Sequence, residues 1–403
     1  MRAFLLVCVA IGCGSEATPS AQTDAGTDSG PDTAVKGPVD LHIDTYNLAL
    51  AGIGVDREAE RRPQLIAALG KLTGDIACLQ EVWREADKVA VRDAMKAGYP
   101  NAVWPKTDRA SKSDEPAVTT TPCAGLEADL DKGIACLAAK CATADGKVTS
   151  TACAKENCLS AAATIFAADN KSCYACFAAN LVSEKIADIA KVCKAPGLGL
   201  GFTGEASPML LSKHPLKDVE HKVLPGCWQQ RSVTRATATL PNGVDVDIYC
   251  NHLSPVNDDA FLPYTCPRGG TGTTDKDKWE AEQLLQTQKI LAWAATRPKG
   301  RTIFLGDLNA SPVTADKTID SYGAATFDLL GKTYVEALAP GFVPQCTFCR
   351  KNPLTNDVEN TWLDHVFLGG IDKAAVKSTI VTFDQGTPMS DHYGLRVVVT
   401  VAP

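Results

Sequence analysis

RTIFLGDLN, Arg301–Asn309, is the stretch whose reading decides the fold. Its opening is apolar and β-branched, as a strand buried on both faces requires, and Gly306, Asp307 and Asn309 then end it in polar residues. A strand that terminates in a carboxylate holds that group on a rigid frame, with its polar tip at the rim of a sheet. Working outward, the same design recurs. VDLHIDTYNL (39–48) alternates apolar and polar side chains and delivers Asn47, GDIACLQEV (74–82) delivers Glu81, and VDVDIYCNHL (244–253) delivers His252. Asp364 lies in a fifth strand, TWLDHVFLGG (361–370), and Asp391 with His392 opens the last, SDHYGLRVVVTV (390–401).

Taken singly, each residue has an ordinary explanation. Asn47 is a good turn residue, Glu81 can start a helix beside Trp83, Asp307 and Asn309 can form a cap, and His252 can be a backbone-bonded core histidine. Asp364 can face solvent, and Asp391 with His392 can be a surface ion pair. What generic turns rarely produce is the ordered set, an apolar strand into GDLN, then LDH, then SDH near the C-terminus.

Around these strands, helical spacing covers residues 56–72, with Pro63 expected to break or start a turn, and further helices are predicted over 85–97 and 278–296. SPMLLSKHPL, KDVEHKVL and RSVTRATATL are strand-like, and Asn242-Gly243 marks a hairpin between the last of these and VDVDIYCNHL. Strands and hairpins with interspersed helices give an α+β chain, expected as a four-layer α/β/β/α sandwich.

Between 111 and 196 the texture changes to Ala, Lys, Asp and Cys, and eight cysteines fall between Cys123 and Cys193. Short helices stapled together are expected, a Cys-rich helical insertion splitting the main domain into 39–110 and 197–403. Residues 1–12 read as a signal peptide, an apolar run too short to span a bilayer, and the string AIGC resembles a bacterial lipobox ending at Cys13. Residues 13–38 are poor in apolar side chains other than alanine and read as a disordered tether. Without Cys8 and the lipid-bearing Cys13, the 16 cysteines leave an even set, which favours disulfides in an oxidising compartment. The pairs Cys173/Cys176 and Cys346/Cys349 stand outside zinc-ribbon spacing, so structural zinc is disfavoured. The chain is therefore expected to be exported to a bacterial cell envelope, lipid-anchored through Cys13 or secreted, and monomeric.

A formal charge of -7 over 403 residues gives no broad basic field of the kind that drives nucleic-acid binding, although a local cleft or a bound cation can still meet a phosphate. Arg231, Arg235, Lys213 and Lys222 are the candidates for such a cleft; a solvated strand face is the plainer reading.

The strings TYNL, CLQEVW, LLSKHPL, NHL, FLGDLN, WLDHVF and SDHYGL, in this order between Asp40 and Thr400, resemble the endonuclease/exonuclease/phosphatase superfamily, which includes deoxyribonucleases, abasic-site endonucleases, sphingomyelinases and inositol-phosphate phosphatases. The Cys-rich segment has no counterpart in that resemblance. It implies Mg²⁺ (or Mn²⁺) held by Glu81 with Asn47 and Asp391, and His392 as general base oriented by Asp364. It further implies that His252 hydrogen-bonds a phosphoryl oxygen, while Asp307 and Asn309 position nucleophile and phosphate. The substrate would be a phosphodiester, a lipid headgroup or a nucleic acid. CTFCRKNPLTND before NTWLDHVF is similar to sphingomyelinases, and Phe261, Leu262 and Tyr264 are candidates for an apolar contact loop, the alternative being that they pack against the insertion. A secreted nuclease is the competing reading, and a catalytically silent surface-binding lipoprotein the alternative of another class. Cys78 and Cys250 depart from the family pattern; both approach the sheet core, where a disulfide and two buried thiols are the alternatives.

Overall fold

The computed structural model describes residues 37–105, 118–257, 263–266, 269–314, 317–355 and 359–403. The expected signal peptide, Cys13, the tether as far as residue 36, Phe261 and Leu262 lie outside them. The chain opens with β1 (Val39–Asn47), α1 (Glu58–Ala68), β2 (Ile76–Gln80), α2 (Glu85–Met95) and a short β3 (Asn101–Val103). Helices α3 (Glu127–Lys140), α4 (Thr151–Cys158), α5 (Lys171–Leu181) and α6 (Ile186–Cys193) follow. Strands return with β4 (Met209–Ser212), β5 (Leu216–Leu224), β6 (Arg231–Thr239) and β7 (Asp245–His252), before α7 (Asp275–Ala294), β8 (Arg301–Asp307) and α8 (Ala324–Gly331). The C-terminal part holds β9 (Val335–Glu336), β10 (Phe348–Cys349), β11 (Asn360–Thr361), β12 (Asp364–Gly369), β13 (Val376–Thr382) and β14 (Gly394–Val401).

Two six-stranded sheets form, in the orders β13-β14-β1-β2-β4-β3 and β5-β6-β7-β8-β12-β9. Leu41, Ile43 and Ile76 of the first face Ile248, Ile303 and Leu305 of the second in one buried layer. The outer face of the first sheet is covered by Leu65, Leu69 and Val91 from α1, α2 and the turn between them, and that of the second by Ile290 and Leu330 from α7 and α8. The expected α/β/β/α order is therefore present, and the described residues form a single compact unit. α3–α6 bury a cluster of their own around Leu130, Leu137, Ile165, Phe177 and Ile189.

Every cysteine among the described residues is in a disulfide. Cys136–Cys158 and Cys141–Cys153 bind α3 to α4, Cys176–Cys193 binds α5 to α6, and Cys123–Cys173 ties α5 to the turn before α3. Cys227–Cys266 and Cys346–Cys349 close loops, and Cys78–Cys250 joins the two sheets. Seven bridges point to an exported or extracellular protein, and among the described residues no helix is long and apolar enough to cross a membrane.

Several expectations need correction. Pro63 neither breaks nor starts a turn; α1 runs through it, because Pro63 is exposed while Leu65 and Leu69 are locked into the core on either side of the next turn. A helix outside the expected set, α8, forms beyond Asn309, and TWLDHVFLGG is two strands, because Trp362 and Leu363 break away between β11 and β12. Tyr264 is no exposed contact residue. It is buried against Trp279 with its hydroxyl on Glu282, so it anchors the loop from within.

Candidate active site

The parallel neighbours β1 and β2 place Asn47 beside Gln80 and bring Glu81 next in line, while β7 and β8 place His252 opposite Asp307. The antiparallel pair β8/β12 sets Asp364 opposite Asp307. Strand register thus gathers residues from remote parts of the chain at one rim. Glu81, Arg231, His252, Asp307, Asn309, Asp391 and His392 line a cavity of about 340 Å³ there. Glu81 and Asn309 hold positive φ values of 55° and 46°, a backbone that asparagine adopts readily and glutamate seldom does.

At the centre stands Asp307. Its Oδ2 accepts from Asn47 Nδ2 at 2.9 Å, its Oδ1 accepts from the Asn309 amide at 2.8 Å, and His252 and His392 Nε2 lie 3.5 and 3.8 Å from Oδ2. His392 Nδ1 donates to Asp364 Oδ2 at 2.8 Å, which leaves Nε2 on the cavity side. Asp364 is buried behind it and does not line the cavity. Asn47 also lies behind, its side-chain Oδ1 already accepting from the Ala49 amide, so it steadies Asp307 through Nδ2 and retains one lone pair.

The electrostatics are those of a carboxylate cluster short of positive charge. Burial and the neighbouring Asp391 push the Glu81 carboxyl up to about 7, and burial with repulsion from Asp364 pushes Asp307 up to about 6. Burial opposes protonation of His392, but Asp364 and Asp307 outweigh it and push the imidazole up to about 10. His252 goes the other way, lowered well below its ordinary value by burial and by the Arg231 guanidinium. Glu81 makes no hydrogen bond to any described residue.

Two further features complete the site. Of the basic candidates Arg231, Arg235, Lys213 and Lys222, only Arg231 reaches the cavity; Arg235 pairs with Glu220 and Lys213 with Asp75 elsewhere. Arg231 Nη1 donates to His252 Nε2 at 2.7 Å, which fixes the remaining imidazole proton on Nδ1, facing Ser207 Oγ at 2.9 Å. In this arrangement the donor offered to the cavity is the guanidinium, and the imidazole holds it in place. The other is the loop closed by Cys346–Cys349. Thr347 Oγ1 accepts from the amides of Leu363 and Asp364 at 3.0 and 3.1 Å, its carbonyl accepts from Tyr393 at 2.7 Å, and the Phe348 ring lies 5.2 Å from that of His392.

A model of the endonuclease/exonuclease/phosphatase family matches residues 45–392. The chain belongs to this family. It is accordingly a hydrolase of the phosphoesterase class, and enzymes of this family generally use divalent metal ions. No curated protein matches the chain. Among solved structures, an endonuclease/exonuclease/phosphatase from Beutenbergia cavernae DSM 12333 is 15% identical, with a TM-score of 0.48 over 90% of this chain and 72% of that one. Sphingomyelinase C from Streptomyces griseocarneus is 14% identical with a TM-score of 0.49 over 90% and 99%. Truncated TDP2 from Caenorhabditis elegans is 12% identical with a TM-score of 0.46 over 90% and 98%.

Proposed function

We propose that this family member is a Mg²⁺- or Mn²⁺-dependent phosphodiesterase of the bacterial cell envelope, working as a monomer tethered by a lipid on Cys13. The observation that carries the chemistry is His392, backed by buried Asp364, facing one cavity with Glu81, Asp307 and Asp391. The donor set fits a hard divalent cation: carboxylate oxygens from Glu81 and Asp391, the spare lone pair of Asn47, and a Glu81 side chain without a hydrogen bond. Glu81, Asp391 and Asn47 would hold it. Bound there, the cation would neutralise the charge that a phosphoryl group carries into its transition state.

The chain's own residues supply the rest. The Arg231 guanidinium is a fixed positive donor for a non-bridging phosphoryl oxygen, held by neutral His252. Asp364 fixes the His392 tautomer, so that Nε2 is the nitrogen able to take a proton from water as the water oxygen bonds to phosphorus and the ester P–O bond breaks. Asp307 and Asn309 position water and phosphate at the rim. While the carboxylates stand uncompensated, His392 keeps its proton and cannot act as a base. A cation held by Glu81, Asp391 and Asn47 would offset part of the negative field that keeps this proton in place.

The test is hydrolysis of bis(p-nitrophenyl) phosphate by the purified chain with Mg²⁺ or Mn²⁺. His392→Ala should lower the rate by roughly 10²- to 10⁴-fold, and Glu81→Ala should abolish the metal requirement together with the activity. Full activity in EDTA contradicts the proposal.

A further inference from the structure

Beside the catalytic cavity lies a second one, of about 180 Å³, among α3, α4 and α5. Its walls include Leu137, Ala154, Phe166, Phe177 and Leu181, and two disulfides cross-link α3 and its end to α4 beside them. The two cavities share one residue, Trp228, which lines both. Trp228 is a bulky aromatic held at a φ of 65°, a conformation such side chains rarely adopt unless their surroundings impose it. Those surroundings are the Cys227–Cys266 bridge at its shoulder, the Gly201 amide donating to its carbonyl at 2.8 Å, and the Tyr174 ring edge-on at 5.9 Å. Its indole therefore stands as a fixed, half-buried partition between a charged phosphate pocket and an apolar one.

Resting on the phosphodiesterase reading, we propose that the substrate is a lipid phosphodiester, one of whose ester arms passes Trp228 and lays hydrocarbon in the apolar cavity of α3–α5. Apolar cavities of this size bind groups of about six carbons, and a ligand spanning both pockets matches charge to charge and hydrocarbon to hydrocarbon. A nucleic acid offers nothing that the apolar cavity would take, and the net charge of -7, with Arg235 and Lys213 already paired, gives its backbone no track.

The experiment is a homologous series of alkyl p-nitrophenyl phosphodiesters, methyl to octyl, below their aggregation concentrations, with the purified chain and Mn²⁺. We expect kcat/KM to climb about three- to fourfold per methylene and to level off near six carbons. In Ala178→Phe and Ala154→Phe, which push a ring into the cavity from its half-buried edge, the octyl-to-methyl ratio should fall toward one. Hydrolysis with no dependence on chain length overturns the lipid subsite and leaves the phosphodiesterase reading intact. Faster turnover of a short oligonucleotide than of the hexyl ester overturns it in favour of nucleic acid. No hydrolysis of any ester overturns both. Should neither variant fold, the wild-type series decides alone.

Discussion

Removing the bridge between the sheets, Cys78→Ala with Cys250→Ala, should be the most costly change outside the catalytic residues. The two cysteines are 172 residues apart in sequence and are fully buried in the layer between β2 and β7. For a loop of that length the chain-entropy relation gives about 5 kcal/mol at 25 °C. The Cys123–Cys173 and Cys176–Cys193 bridges short-circuit part of the loop, but the dependence is logarithmic, so the figure falls by only ~0.4 kcal/mol. Native disulfides commonly deliver about 2–5 kcal/mol, which against a typical total of about 5–15 kcal/mol is a large fraction. Guanidinium unfolding followed by fluorescence, with the other bridges left oxidised, should show a midpoint shift of that size. Because Cys78 lies three residues before Glu81 and Cys250 two before His252, activity should also vanish at lower temperature than in the wild type. A loss under about 1 kcal/mol would show that the apolar layer alone fixes the sheets, and the reasoning would be wrong.

Four further outcomes follow from the same structure. Arg231→Ala should lower kcat by about 10²- to 10³-fold, the usual loss for a charge-stabilising donor, with Arg231→Lys recovering only part because it lacks the planar fork that donates to both His252 Nε2 and Gln229 Oε1; unchanged steady-state kinetics would remove Arg231 from the site. Thr347→Val leaves two buried amides without an acceptor, a cost of about 1–3 kcal/mol, and should depress kcat more than KM since Asp364 is one of the two; a thermal shift with normal kcat would limit the loop to a structural role. Asp277 closes the capping box of α7, and hydrogen bonds from Thr273 and Thr274 hold its carboxyl down to about 2. A depressed folded value means stabilisation present above the unfolded value near 3.8 and lost as pH falls towards 2, so the stability gap to Asp277→Asn should close over that window; a pH-independent gap would refute the cap. Mass spectrometry of cell-derived protein should find a lipid on Cys13, and an unmodified cysteine there would reject the anchor.

The strand ends were legible because burial and backbone period act locally: an apolar run that stops in Asp307 or His252 announces both the strand and its rim. Arg231 was harder, yet a signal existed. The Asn242-Gly243 turn fixes the β6/β7 register with Thr239 opposite Asp245, and counting back sets Ser232 opposite His252, so Arg231 must flank the histidine. Thr347 carried no such signal, because its loop reaches the His392–Asp364 pair only through contacts between elements far apart in sequence. Pro63 misled for the opposite reason. Local propensity argued for a break, and the packing of Leu65 and Leu69 against the first sheet overrode it.

β4 and β3 sit at the far edge of the first sheet, two and three strands away from the one that supplies Asn47, and all four Cys-rich helices hang from the chain between them. An excursion attached at a margin can lengthen, shrink or be exchanged while the central strands keep their spacing. If the cavity of α3–α5 takes the proposed lipid arm, selection has two independent dials: one for what is broken, written into the middle of the sheets, and one for what is recognised, written into their border.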